Sequence, residues 1–215
     1  MPKNAAKNSR IQREKLRRSN DILQAARKVM LAKSYTGATM DDIAAAAGLT
    51  KPTIYQYFRT KDELFAGLMA PLIVDFEKRL QTIREEIESG IYRSGRDVVH
   101  DVYNLYYDMF ETDPEMFSIF NIFLQIGMKA DMNSEAMKTI KDMGRRCFNA
   151  GHSIVSASVS RKLFREMDIY HTTDFVWGSF WGIVQVEQNR WGKEGISPFL
   201  KPVFQYGEEL LIRAL

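Results

Sequence analysis

At 215 residues, with 45% hydrophobic and 27% charged side chains, the chain has the composition of a globular protein and excludes a disordered or fibrous one. A single cysteine, Cys147, excludes an intrachain disulfide, and the lack of an apolar leader or of a run of roughly 20 apolar residues leads us to expect a cytoplasmic protein with no membrane partner. The net charge of +3 is unevenly placed: residues 1–62 carry 13 Lys/Arg against 5 Asp/Glu and the other 153 carry 17 against 22, so only the front is suited to a polyanion.

Residues 1–14 hold Lys3, Lys7, Arg10 and Arg13 among small polar residues and read as a flexible basic arm. Over 15–33 the apolar residues Ile22, Leu23, Ala26, Val29 and Met30 recur at three- and four-residue steps, which predicts an amphipathic helix ended by Ser34-Tyr35-Thr36-Gly37. Three short-range start signals follow. Thr39 with Asp42 forms a capping pair for a helix through Ile43 to about Ala47. Gly48 supplies the positive φ of a tight turn, with Leu49 as its apolar plug. Thr50 is the next cap, with Pro52 close to the first helical position, and Thr60 with Glu63 opens a further helix. Beyond Pro71, helical spacing runs through 72–88, 98–111, 117–129, 134–159, 173–189 and 199–214, broken at glycines and prolines. No alternating strand pattern and no fixed-period repeat occurs, so the fold class is all-α.

A short helix, a turn at Gly48 and a second short helix outline a helix-turn-helix, whose second helix enters the DNA major groove. Its chemistry fits double-stranded DNA. Thr50, Lys51, Pro52 and Thr53 crowd the helix start, where free N–H groups favour phosphate, and Tyr55, Gln56 and Tyr57 follow. Gln pairs with adenine, Lys donates to guanine, and Thr or Pro packs on a thymine methyl. Thr39 and Lys61, at neighbouring helix starts, are placed for phosphates. A helical hairpin without a nucleic-acid role leaves two tyrosines, a lysine and the local positive charge unexplained.

Residues 40–64, MDDIAAAAGLTKPTIYQYFRTKDEL, resemble the signature of TetR-family bacterial regulators: a Thr-capped helix with an Ile-Ala pair, an Ala-Gly-hydrophobic turn, a Thr-Lys-x-Thr-Ile-Tyr-x-Tyr-Phe recognition helix, and Lys-Asp-Glu-Leu opening the next. The resemblance spans about 15–69 and implies DNA contacts at Thr50, Lys51, Thr53, Tyr55, Gln56, Tyr57 and Lys61, with Ile43, Ala44, Leu49, Ile54 and Phe58 holding the unit together. Ser34, where the family commonly has Gly, is a departure that bears on the end of the first helix. The resemblance further implies an N-terminal three-helix DNA-binding domain (15–62) and a larger helical bundle (63–215) for dimerisation and ligand binding, hence a homodimeric repressor released from a near-palindromic operator by a small, largely apolar effector, with a transcriptional activator of the same fold as the alternative.

In that bundle Phe199, Val203, Tyr206 and Leu210 make one stripe, and Gly178 with Gly182 a close-approach face, so the last two helices are the expected dimer interface. For an apolar effector the candidate lining is aromatic, with Tyr103, Tyr107 and Phe110 on one helix, Phe120 and Phe123 on the next, and Trp177 and Trp181 a turn apart. Asn121, Gln125 and His152 are candidate orienting groups. The three histidines lie far apart in sequence and no Cys-x-x-Cys unit occurs, so no metal and no cofactor is expected. Phosphate-loop, nucleophile-elbow and zincin motifs are missing, which argues against an enzyme; a peripheral membrane protein using the basic arm is the third reading.

Overall fold

The computed structural model describes residues 2–127, 134–191 and 197–214, with side chains over 9–121, 134–190 and 197–214. Among these residues there are nine helices and no strand: α1 (Pro2–Gly37), α2 (Met40–Ala46), α3 (Lys51–Tyr55), α4 (Lys61–Ser89), α5 (Gly95–Thr112), α6 (Pro114–Gly127), α7 (Glu135–Ser160), α8 (Ile169–Trp191) and α9 (Leu200–Ala214). They divide into two compact units, Met1–Pro71 with Glu115–Ile140, and Leu72–Pro114 with Lys141–Leu215. A bundle boundary at 62/63 is expected from the sequence, but α4 continues through Pro71 as one helix, and α6 belongs to the first unit, where Glu115 pairs with Arg27 at 2.7 Å.

In the first unit the core is Ile22, Ala26, Met30, Ile43, Ile54, Leu64, Phe65 and Met69, all fully or nearly fully buried. The arm expected over 1–14 is instead helical backbone from Pro2 onward, exposed where its side chains are described. The first helix breaks at Ser34, whose φ of 61° and ψ of 170° lie in a region open essentially to glycine alone. This strain turns the chain so that Tyr35 is buried against Phe65, 5.2 Å between ring centres and edge-on.

The carbonyls released by that turn find a cation. The Lys61 ammonium donates to Tyr35 O at 2.7 Å and Ala38 O at 3.0 Å, and lies 4.6 Å from the centre of the Tyr35 ring. Its neighbour Asp62 accepts hydrogen bonds from the Tyr35 hydroxyl and from the Ser134 hydroxyl, the latter also capping the start of α7 through Met137 N–H.

The start signals are realised in different degrees. Thr39 forms the full capping box: its hydroxyl accepts from Asp42 N–H at 3.1 Å, while its own N–H donates to the Asp42 carboxylate at 3.2 Å. Thr60 accepts from Glu63 N–H at 3.1 Å, but the Glu63 carboxylate takes the N–H of Arg59 rather than that of the cap. Thr50 caps by position only, because its hydroxyl pairs with that of Thr53 at 2.8 Å. Gly48 has φ +65°, and Leu49 N–H donates back to Ala44 O at 2.9 Å, the bond that closes a glycine-ended helix.

The second unit packs α5 on α9 and α9 on α8. Its interior is a chain of rings in which Tyr106 meets Phe76, Trp177 and Phe180, and Phe180 meets Phe204, at centre distances of 4.7 to 5.6 Å. Gly151 lets α7 approach α8 closely, since a Cβ there would stand 3.0 Å from the Thr173 methyl. Cys147 is buried with its Sγ 3.8 Å from Ile73 O; burial, reinforced by Glu77, pushes its thiol up to about 12.

Ser34→Gly relieves the backbone strain and raises stability by about 1 kcal/mol, a gain of about 2–4 °C in Tm for a chain of this size; an unchanged or lower Tm in thermal denaturation would count against the strain. Cys147 in the native protein reacts with a thiol reagent at pH 8 on the order of a thousandfold more slowly than an exposed cysteine, and at full speed in denaturant. Rapid native labelling would show a thiol poised for redox chemistry.

Candidate functional site

Two consecutive turns of chemistry make the basic end distinctive. Helix α3 is five residues long and is anchored by Ile54, which is fully buried. That single anchor leaves Lys51, Pro52, Tyr55 and Gln56 exposed and Thr53 and Tyr57 half-buried on the same short element, with Thr39 exposed at the cap of α2. An exposed tyrosine and glutamine beside a lysine offer one aromatic face, one bidentate amide and one cation, which is the equipment for reading base edges. Lys51 is held 2.9 Å from Asp41, which raises its pKa through that hydrogen bond. Both partners are exposed, so the pair is readily exchanged for a phosphate.

Lys61 does not present itself in this way. Its ammonium is drawn inward to the carbonyls of Tyr35 and Ala38, and burial lowers its pKa. It therefore holds the frame in which α2 and α3 sit. A Lys at a helix start reads the same in sequence whether it faces phosphate or a neighbouring carbonyl.

The second unit holds a small, partly open apolar cavity of about 40 Å³, space for a few water molecules. Its wall is Val98, Val102, Tyr103 and Tyr106 from α5, Leu80 from α4, Gly151, Ile154 and Val155 from α7, and Thr173 and Val176 from α8. Tyr103 and Tyr106 are buried, and desolvation raises both phenols well above their ordinary value, so both stay neutral and able to donate a hydrogen bond.

Of the aromatic candidates, Tyr103 alone lines this cavity. Tyr107 packs on Phe204 at 5.8 Å, and Trp177 and Trp181 stack on each other at 5.6 Å within the ring cluster. Phe110 is buried in the second unit, whereas Phe120 and Asn121 are buried in the first. The side chains of Phe123 and Gln125 lie outside the described residues. His152 lines a separate polar recess beside Tyr170. The valines of the wall were missed, although Val98, Val102 and Tyr106 recur at four-residue steps and mark one stripe of α5. Among the described residues no three His, Cys, Asp or Glu side chains are grouped to hold a metal ion, and no helix is long and apolar enough to cross a membrane.

Residues 22–68 match the family model of bacterial regulatory proteins of the tetR family. The HTH-type transcriptional regulator EthR of Mycolicibacterium smegmatis is 28% identical over 83 residues, 39% of this chain and 38% of that protein, so the chain matches well under two thirds of the length of that relative. Two solved structures share the fold across nearly the whole chain. FadR from Bacillus subtilis, in complex with stearoyl-CoA, gives a TM-score of 0.60 at 20% identity, covering 91% of this chain and 98% of the other. AibR, in complex with isovaleryl coenzyme A and operator DNA, gives 0.66 at 18%, covering 90% and 97%. Residues 22–68, which hold the helix-turn-helix, thus match the tetR family of bacterial regulatory proteins in sequence, and the chain shares the fold of FadR and AibR.

Proposed function

We propose that this protein is a DNA-binding transcriptional regulator, most simply a repressor, that leaves a near-palindromic operator when the acyl chain of a small thioester-type effector enters the apolar cavity of the second unit. The observation that carries the first half is the recognition face: Lys51, Pro52, Tyr55 and Gln56 are exposed together on a helix whose only buried anchor is Ile54. The effector half is supported by the cavity wall, almost wholly apolar with two neutral phenols, and by the acyl-CoA ligands of the FadR and AibR complexes. The match of residues 22–68 to a family of bacterial regulatory proteins favours this reading over an enzymatic one. The dimer uses α8 and α9, whose Phe175, Val186, Tyr206 and Leu210, with Phe199 just before α9, are exposed apolar side chains.

Two helices connect the halves of this mechanism. Leu80 of α4 and Gly151, Ile154 and Val155 of α7 wall the cavity, and the starts of the same helices are tied together by the hydrogen bond from Ser134 to Asp62. An effector that parts α4 from α7 bears on Asp62, and through it on Tyr35 and the frame of the recognition helix. A coupling of about 1–3 kcal/mol between effector and DNA is enough to switch an operator.

Selection of duplexes from a random library at physiological salt enriches an inverted repeat with half-sites about 34–36 Å apart; a folded protein that enriches nothing refutes the reading. Tyr55→Ala lowers operator affinity about 10- to 100-fold with an unchanged Tm, while Lys61→Ala lowers Tm as well, because it strips two carbonyls of their donor. Equal behaviour of the two variants would remove the distinction between a contact and a frame residue. Val155→Phe fills the cavity and abolishes the response to acyl-CoA while the operator is still bound; a retained response, read by fluorescence anisotropy of labelled operator, would place the effector elsewhere.

A further inference from the structure

On the other side of α7 from the apolar cavity, the second unit carries a solvent-open recess of about 480 Å³ with different chemistry. Its floor is α7, where His152, Ser156 and Ser160 recur every four residues and share one face. Arg84 of α4 and Tyr170 at the start of α8 also line it.

Among the described residues, Ser156, Ser160, His152 and Arg161 in this recess lack partners that comparable groups in the rest of the unit have, and Tyr170 offers an open face. Ser153 and Ser158, on the same helix, donate to the carbonyl four residues back at 2.9 and 2.8 Å; among the described residues the hydroxyls of Ser156 and Ser160 make no such bond. His152 Nε2 is buried without a hydrogen-bond partner. Arg84 is paired with Glu88 at 3.2 Å, but Arg161 has no ion pair among the described residues. Its guanidinium lies across Gly90, where a Cβ would stand 2.6 Å from the nitrogen and push it away. The Tyr170 ring is 65% exposed and meets the His152 ring edge-on at 4.6 Å, so its face is open to stack a planar group.

An unpaired guanidinium beside two free hydroxyls suits a phosphate, and an open aromatic face a few residues away suits a base. A plain carboxylate leaves the ring unused, and a sugar leaves the arginine unused. We propose that this recess binds a phosphorylated adenine nucleotide group, with the phosphate on Arg161, Ser156 and Ser160 and the base on Tyr170. The group has two sources of the same chemistry, a free nucleotide or the nucleotide end of coenzyme A; the second rests on the effector reading above, whereas the site itself does not.

The test is calorimetric titration of the full chain with adenosine 3′,5′-bisphosphate, coenzyme A, an acyl-CoA and pyrophosphate, using the wild type, Arg161→Gln and Tyr170→Ala. Both positions are exposed, and unchanged Tm and operator affinity serve as controls for folding. Binding of the bisphosphate that falls at least tenfold in Arg161→Gln and several-fold in Tyr170→Ala, with pyrophosphate weaker and indifferent to Tyr170, supports the site. An acyl-CoA that binds more tightly than the bisphosphate, by a margin lost in Val155→Phe, identifies the coenzyme as the source, and equal affinities identify a free nucleotide. No bisphosphate or coenzyme A binding at millimolar concentration, or binding indifferent to both substitutions, overturns the proposal. If in that case acyl-CoA still releases the operator in a Val155-dependent way, the effector reading stands while the recess fails.

Discussion

The basic end of the molecule depends on how the chain breaks after α1. The turn at Ser34 frees carbonyls at Tyr35 and Ala38 that have no helical partner, and a buried or half-buried carbonyl without a donor costs about 1–3 kcal/mol. Lys61 answers both carbonyls, and Asp62 answers the Tyr35 hydroxyl. Two adjacent side chains at the start of α4 thus fix the end of α1, and with it the line from which α2 and α3 are hung. The recognition helix is too short to hold itself, since five residues make barely one turn and a lone short helix is unstable in water; it has a defined face only because this frame exists.

The division of the chain into two units follows from where polar and aromatic groups are spent. The first unit invests its polar side chains in caps and turns, so that the exposed surface of α3 is left free to vary without loss of fold. The second invests in rings, stacking Phe76, Tyr106, Trp177, Phe180 and Phe204 into a continuous interior. The cavity lies at the margin of that stack, where α5 contributes valines in place of rings.

Local features were legible in the sequence and long-range ones were not. The Thr39 box, the Gly48 turn, the burial of Ile43, Ala44 and Ile54, and the exposure of Lys51, Tyr55 and Gln56 all follow from residues within a few positions of one another, and the all-helical class follows from spacing. The carbonyl partners of Lys61 were not legible because they lie more than twenty positions earlier in the chain. The cavity lining was hidden for a related reason: Tyr103, Tyr107, Phe120 and Trp177 all fall at helical spacing, and spacing says that a side chain is turned inward without saying whether it meets a ring or an empty space. The transfer of α6 to the first unit had no local sign at all, since its contact runs from Glu115 to Arg27.

The small size of the apolar cavity carries a consequence in time. On the effector reading proposed above, a ligand larger than a few water molecules does not fit the cavity as it stands, so its entry waits for α5, α7 and α8 to part. Association then proceeds at the rate of opening and not of collision, and stops rising when ligand concentration outruns that rate. The observed affinity is the intrinsic one multiplied by the fraction of molecules that stand open. On that reading, packing around Val155 and Gly151 sets the speed of the response and its threshold together, and a change there that loosens the wall makes the response both quicker and more sensitive.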